Sequence, residues 1–125
     1  MSERRGRVLV VDDDELAARV VSRVLGKEHD IVEARSGQDA LARIEAGERF
    51  DVVVCDLIMP KMTGMELHER VQRAGLDVAD RMIFLTGGAF TARAAGFVAK
   101  LPPRRWLQKP FEAKDLRSLA RDFVR

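Results

Sequence analysis

Short apolar runs that end abruptly in a polar residue recur along this chain, and they constrain its fold more than any other feature. The run 7–11 stops at the three aspartates 12–14, and the run 50–55 stops at Asp56. Runs of this length and composition are typical of strands buried on both faces of a parallel sheet. The further strand candidates are 30–34, 81–85 and 105–108.

Amphipathic stretches fill the intervals between these runs. Leu16, Val20 and Val24 recur four residues apart and predict a helix that ends near Gly26. The later helix candidates are a segment capped by Ser36 and stopped by Gly47, the segments 65–74 and 91–100, and a last face of Leu116, Leu119, Ala120 and Phe123. Five strands alternating with five helices predict right-handed βαβ units and one α/β parallel sheet covered on both sides.

Length and composition favour one globular domain. The chain has 125 residues, of which 46% are apolar and 34% charged, which excludes a disordered or a membrane-embedded chain. No apolar run approaches the roughly 20 residues that a membrane span needs. The basic, polar start has no secretory core after it, and the single Cys55 fits a reducing cytoplasm. We therefore expect one cytoplasmic domain over residues 1–125.

The charges are distributed unevenly along the chain. The net charge is +2, but residues 1–90 carry 13 basic and 17 acidic side chains, whereas residues 91–125 carry 9 basic and 3 acidic ones. The acidic part suits a cation, and the basic part is a candidate surface for a partner. A net charge of +2 is too small to indicate a nucleic-acid ligand.

Polar residues at the strand ends are the candidates for chemistry, because ligands bind at the carboxyl edge of such a sheet. They are Asp12, Asp13, Asp56, Thr86 and Lys109. One aspartate at a strand end is an ordinary turn or cap residue, but five polar ends at one edge indicate a site. Clustered carboxylates repel one another unless a cation joins them, and Mg²⁺ prefers oxygen ligands. A carboxylate beside Mg²⁺ and an ammonium is suited to accepting a phosphoryl group.

Four motifs in this order give the chain a resemblance to a known family. They are VLVVDDD at 8–14, FDVVVCDLIMPKMTG at 50–64, FLTGG at 84–88 and WLQKPF at 106–111. The chain resembles, over about residues 6–124, the receiver domain of two-component response regulators, of the kind attached to hybrid sensor histidine kinases. The resemblance implies a flavodoxin-like (βα)5 doubly wound sandwich with a five-stranded parallel sheet.

The resemblance also implies roles for individual residues. Asp56 matches the phosphoacceptor. Asp12 and Asp13 match the acidic pair that holds Mg²⁺ together with Asp56, Asp13 directly and Asp12 largely through water, and the backbone carbonyl of Ile58 is expected to complete the protein ligands. Thr86 matches the switch hydroxyl, with Gly87 next to it, and Trp106 is at the switch aromatic position. Lys109 matches the phosphate-binding lysine. Pro110 follows Lys109 through an expected cis peptide bond, which helps orient Lys109.

Some residues depart from the family pattern or carry no signal of their own. Ile58 is apolar and Gly88 has no side chain, so neither can orient an attacking water, and we predict a slowly hydrolysed phosphoaspartate. His68 lies in the middle of a helix and is expected to be an ordinary surface residue. Asp14 is expected to cap a helix.

The resemblance implies a phosphoacceptor module that takes a phosphoryl group from a histidine kinase or a histidine phosphotransfer domain. Such a module would promote its own phosphorylation and dephosphorylation and switch a protein-binding face, here expected within 91–125. We expect no nucleic-acid ligand and no membrane contact. The parent is expected to be a hybrid sensor histidine kinase. A free-standing single-domain regulator is the alternative, and a metal-dependent phosphohydrolase is a remote one, because Ile58 stands where such enzymes carry a second acid.

Overall fold

Five strands and five α-helices alternate along the part of the chain that the computed structural model describes, residues 5–87 and 91–124. The strands are β1 (Arg7–Val11), β2 (Asp30–Ala34), β3 (Val52–Asp56), β4 (Met82–Thr86) and β5 (Trp106–Gln108). The helices are α1 (Glu15–Gly26), α2 (Gly37–Glu45), α3 (Gly64–Arg73), α4 (Ala92–Ala99) and α5 (Ala113–Arg121). A short 3₁₀ helix over Asp77–Arg81, which the sequence did not indicate, leads into β4.

All five strands pair in parallel, in the order β2-β1-β3-β4-β5. The chain moves outward from β1 to β2 and then crosses to β3 on the other side. This reversal of strand order opens a crevice at the carboxyl ends of β1 and β3, where sheets of this kind bind ligands. The predicted flavodoxin-like fold is confirmed.

The sheet is buried on both faces because alternate residues of each strand point to opposite sides. In β1, Val8 and Val10 pack with α1 and α5, whereas Leu9 and Val11 pack with α2, α3 and α4. Burying one such side chain stabilises the fold by about 1.5–3 kcal/mol. The continuous apolar runs of the sequence therefore reflect two cores that share one sheet.

Helix α1 lies where the spacing of apolar residues predicts it, but the first two of those residues do not face the core. The side chains of Leu16 and Val20 are 73% and 55% exposed. The core is contacted instead by Ala18, Val21 and Leu25. Spacing alone does not identify the buried face, because of the three spaced residues only Val24 packs, partly buried, against the core.

His68 is not an ordinary surface residue. Its ring is half-buried between α3, β4 and α4, with its centroid 5.7 Å from that of Phe84 and 5.6 Å from that of Phe97, both edge-on. Burial lowers the pKa of His68 below its ordinary value. The surface prediction for His68 was wrong because the apolar neighbours come from distant parts of the chain.

No helix among the described residues is long and apolar enough to cross a membrane.

Candidate functional site

Three carboxylates converge at the carboxyl ends of β1 and β3. One oxygen each from Asp12, Asp13 and Asp56 lies within 4.8 Å of the others. The ammonium of Lys109 lies 3.7 Å from Oδ2 of Asp12 and 3.8 Å from Oδ1 of Asp56. The fold thus brings together four of the predicted site residues.

Local backbone geometry positions the first of these carboxylates. Oδ1 of Asp12 accepts a hydrogen bond from the backbone N–H of Asp14 at 2.9 Å. Asp14 in turn caps α1, because its carboxylate accepts from the N–H of Leu16, and its predicted role is confirmed. Asp12 is 2% exposed, and its Oδ2 has no hydrogen-bond partner within the described residues.

The electrostatics of the cluster favour an added cation. Burial is the main cause that raises the pKa of Asp12, although Lys109 opposes it. Burial likewise raises the pKa of Asp56 to about 6, with Lys109 lowering it and Asp12 raising it further. Carboxylates that are costly to ionise when they are crowded together become favourable partners once a divalent ion neutralises them.

The donor set fits Mg²⁺. Carboxylate oxygens are the hard ligands that this ion prefers, and it keeps several waters beside one or two carboxylates. The buried Oδ2 of Asp12 has an unfilled acceptor, which an ion or an ion-bound water would satisfy. Within the described residues, the only cluster of three or more potential metal-ligating side chains is this one.

Lys109 and Thr86 are placed by the pairing of β4 with the end of β5. The backbone N–H of Lys109 donates to the carbonyl of Thr86 at 2.7 Å. The Lys109–Pro110 peptide bond is cis, as expected. Thr86 is 1% exposed, and among the described residues its Oγ1 has no partner. A buried hydroxyl without a partner can donate to an incoming acceptor.

The loop between β3 and α3 contributes a feature that the sequence reasoning missed. The backbone N–H of Ile58 donates a hydrogen bond to the carboxylate of Asp56 and opposes the rise of its pKa. The side chain of Ile58 points away from the core and is 45% exposed. Every residue except proline has a backbone N–H group, so the sequence cannot show which N–H donates to Asp56. Only the fold shows it.

Trp106 and the glycines lie around the end of β4. Trp106 is half-buried, pairs in register with Phe84, and packs on the same side of the sheet as α2, α3 and α4. Among residues 5–87 and 91–124, nothing lies within 4 Å of the place where a Cβ of Gly87 would be. Gly88, on which part of the slow-hydrolysis prediction depends, lies outside the described residues.

The basic segment 91–125 is partly neutralised within the molecule. Arg104 pairs with Asp122, and Arg121 pairs with Glu28 of the turn after α1. By contrast, Arg93 and Lys100 line a groove of about 480 Å³ between α3 and α4. The charges of Arg104 and Arg121 are therefore already engaged within the molecule.

Comparison with known proteins identifies the relatives of this fold and site. A family model described as the response regulator receiver domain matches residues 8–121. The chain is 33% identical over 111 residues to the transcriptional regulatory protein DltR of Streptococcus agalactiae, which covers 88% of this chain and 48% of DltR. It is 31% identical over 121 residues to the sensor kinase CckA of Brucella abortus, covering 94% of this chain and 12% of CckA.

A solved structure also shows similarity to a response regulator. A putative response regulator from Chloroflexus aurantiacus superposes with a TM-score of 0.80 at 31% identity, covering 97% of this chain and 98% of that one. The chain spans about half the length of DltR and a small part of CckA, so these comparisons concern the domain and not the whole relatives.

Proposed function

The chain belongs to the response regulator receiver domain family, and from that premise we propose that it accepts a phosphoryl group from a histidine kinase or a histidine phosphotransfer domain on the carboxylate of Asp56. The observation that supports this proposal most strongly is the cluster of three carboxylates beside Lys109. Asp56 stands within 4.8 Å of the carboxylates of Asp12 and Asp13, and its Oδ1 lies 3.8 Å from the ammonium of Lys109. We propose that one receiver domain fills residues 1–125.

Asp56 is the nucleophile of the proposed transfer. One of its carboxylate oxygens forms a bond to phosphorus, and the bond from phosphorus to the imidazole nitrogen of the donor histidine breaks. The imidazole keeps the electron pair of that bond and can take a proton from solvent. A carboxylate is suited to this task because it carries the charge of a nucleophile at neutral pH without a separate base.

Mg²⁺ would be held by Asp12, Asp13 and Asp56, with the backbone carbonyl of Ile58 as the proposed fourth protein ligand. When bound, the ion supplies the positive charge that neutralises the phosphoryl oxygens. Lys109 adds a second positive charge on the side of Oδ1 of Asp56. The hydroxyl of Thr86 is proposed to donate a hydrogen bond to one phosphoryl oxygen. The movement of Thr86 toward the phosphoryl group is the proposed origin of the switch, in which Gly87 lies next to Thr86 and the side chain of Trp106 moves after it.

A protein donor explains the apolar residues exposed beside the acceptor. Leu16 and Val20 lie on the first two turns of α1, and Ile58 lies two residues after Asp56. Side chains of this type are not needed to bind a small phosphodonor, but they gain free energy when a helix of another protein covers them. We propose that the helix carrying the donor histidine packs on these residues.

The proposed output surface is the basic segment 91–125. It is expected to bind an acidic protein surface, and such a complex weakens as the ionic strength rises. Nucleic acid and membrane are not proposed as ligands of this domain. A complex with the output protein that is indifferent to salt would contradict this assignment.

We propose a cytoplasmic hybrid sensor histidine kinase as the parent protein. The similarity to CckA, described as a sensor kinase, supports this context. The similarity to the regulator DltR supports the alternative, a response regulator outside a kinase, of which the free-standing single-domain form is one case. The genomic reading frame around these residues decides between them.

Labelling with acetyl phosphate tests the acceptor. We expect the wild type to gain one hydroxylamine-sensitive phosphoryl group in Mg²⁺, and Asp56→Asn to gain none, because an amide is not a nucleophile. Asp77→Asn removes an exposed carboxylate of the 3₁₀ helix and is expected to label as the wild type does. Undiminished labelling of Asp56→Asn would refute the assignment.

A second assay, the turnover of p-nitrophenyl phosphate, separates a receiver from a phosphohydrolase. A receiver is labelled once per chain, whereas a hydrolase would release phosphate from p-nitrophenyl phosphate with many turnovers. Ile58 has no group that could protonate a leaving alcohol, so we expect no turnover.

A further inference from the structure

We propose that Gly64, the first residue of α3, is a positioning residue for the phosphoacceptor, an inference that rests on the proposed function of Asp56. Gly64 is buried directly behind the acceptor strand. A Cβ atom at this position would lie 2.6 Å from the backbone carbonyl oxygen of Asp56 and 3.0 Å from Cα of Leu57. Side-chain carbon atoms do not approach backbone atoms this closely, so only glycine fits here without a shift of the Asp56–Leu57 backbone.

The requirement for glycine is steric and not conformational. The φ angle of Gly64 is outside the left-handed region, which Gly47 and Gly75 adopt at the ends of α2 and α3. An alanine could therefore adopt the backbone conformation of Gly64. Its Cβ atom, however, would displace the carbonyl group of Asp56.

A closed loop connects this contact to the site. The N–H of Gly64 donates to the carbonyl of Leu57 at 2.9 Å, and the N–H of Leu57 donates to Leu85 of β4. The start of the loop 57–63 is thus hydrogen-bonded to the sheet through Leu57, and Gly64 hydrogen-bonds the end of the loop back to Leu57. A capping box between Thr63 and Glu66 fixes the first turn of the helix, so the helix cannot easily begin elsewhere.

The loop that Gly64 holds carries Ile58, which acts on the acceptor in two ways. Its N–H donates to the carboxylate of Asp56, and its carbonyl is the proposed metal ligand. A methyl group at residue 64 would push on the Asp56–Leu57 peptide, which lies between the acceptor and Ile58. The carboxylate and its backbone donor would then lose their alignment, while the two cores of the fold stay in place.

Gly37, at the start of α2, leaves room for the side chain of Met62 in the same loop. A Cβ atom there would lie 2.8 Å from Cγ of Met62. The side chain of Met62 is flexible and can yield in part. A methyl group at residue 37 is therefore expected to disturb the loop less than one at residue 64.

Chemical unfolding with and without MgCl₂ tests the proposal. A ligand that binds the folded state stabilises it by an amount set by its concentration relative to Kd. A merely structural role of Gly64 would lower stability equally in both conditions and leave the gain from Mg²⁺ unchanged. We expect Gly64→Ala to weaken Mg²⁺ binding by about tenfold or more, the range for residues that orient metal ligands.

Gly96→Ala is the matched control, because a Cβ in the middle of α4 meets nothing within 4 Å among the described residues. It should keep the full gain from Mg²⁺. If Gly64→Ala does not fold, Gly37→Ala decides, with a smaller loss of affinity expected and an unchanged affinity overturning the proposal. An equal gain in Gly64→Ala and wild type would overturn the role of Gly64 alone. No gain in the wild type would overturn the proposed function itself.

Discussion

The ammonium of Lys109 lies 3.8 Å from Oδ1 of Asp56 and almost as near, 3.7 Å, to Oδ2 of Asp12. One positive charge therefore faces two carboxylates, and Asp13 adds a third negative group to the cluster. The site without a metal ion holds an excess of negative charge in a partly buried place. That imbalance costs stability and has measurable consequences.

Asp56→Asn is expected to stabilise the folded protein in Mg²⁺-free buffer at pH 7.5. Burial raises the pKa of Asp56 from 3.8 to about 6, so ionising it in the fold costs up to about 3 kcal/mol. A raised pKa in the folded state means that this cost is absent below about pH 4 and grows as the pH rises through 6. Urea unfolding of both proteins at pH 4.5 and 7.5 measures the difference.

The exposed Asp77→Asn variant serves as the control, and its stability relative to the wild type should not change between these pH values. Saturating Mg²⁺ should close much of the gap, because it stabilises the wild type and has less to bind in the variant. A wild type as stable as Asp56→Asn at pH 7.5 without Mg²⁺ would contradict the electrostatic account of the site.

His29 is expected to make the protein less stable in mild acid. Its ring is 3% exposed, and Nδ1 accepts a hydrogen bond from the N–H of Gly6 at 3.1 Å. Protonation would place a hydrogen on Nδ1 against that N–H. Burial accordingly lowers the pKa of His29. The unfolded chain then binds the proton first, so stability is lost as the pH falls below about 6.5.

His29→Asn keeps an acceptor oxygen near the place of Nδ1 but does not titrate. We expect this variant to lose part of the decline in unfolding free energy between pH 7 and 5, and His68, whose pKa is also lowered, to account for another part. Measuring both proteins in the Asp56→Asn background removes the opposite trend from that carboxylate. An unchanged slope would show that His29 is not the titrating group.

The strand ends were predictable from sequence because their chemistry is local. A buried run that stops at Asp12 or Asp56 places its carboxylate at one edge of the sheet as soon as the strands are parallel. The face of α1 was not predictable from its spacing, since Leu16 and Val20 are as apolar as the residues that meet the core. Only the packing of α1 against the sheet and α5 distinguishes the two sets of residues.

Contacts between backbone atoms were equally hidden. The hydrogen bond from Ile58 to the acceptor and the approach of Gly64 to the carbonyl of Asp56 depend on the path of one loop. The pattern of residues marks that loop by Pro60 and the glycine but does not give its path. His68 was misjudged for a similar reason, because Phe97, which packs against it, comes from a later helix.

Ile58→Asn is expected to shorten the lifetime of the phosphoaspartate several-fold. The side chain of Ile58 is 45% exposed beside the acceptor, and an amide there can hold a water that an isoleucine cannot. The backbone N–H and carbonyl of residue 58 remain, so labelling itself should persist. Decay of the ³²P label after removal of acetyl phosphate measures the rate.

Ile58→Val is the matched control for loss of size without gain of a polar group, and it should decay as the wild type does. Because residue 58 is exposed, both variants should unfold within about 0.5 kcal/mol of the wild type. Equal decay in Ile58→Asn and Ile58→Val would show that this side chain does not control hydrolysis.

Trp106 is expected to report the switch. It is the only tryptophan of the chain, and it is half-buried. In the pairing of β4 with β5 its register partner is Phe84, which precedes Thr86 by two residues. If Thr86 moves toward a phosphoryl group, the indole can turn toward the space that it leaves, with Gly87 offering no side chain in the way. Adding Mg²⁺ with beryllofluoride, which mimics a phosphoryl group on Asp56, should therefore shift the fluorescence emission of Trp106.

Thr86→Ala tests whether the hydroxyl drives this movement. The hydroxyl is buried and has no partner within the described residues, so its removal should leave the fold intact while it blunts the shift. The opposing hypothesis is a fixed tryptophan that serves as an anchor for a partner, a role this side chain often has. Asp56→Asn, which should not bind the mimic, gives the baseline. A wild type that binds beryllofluoride, shown by ¹⁹F NMR, with unchanged emission would establish the fixed anchor instead.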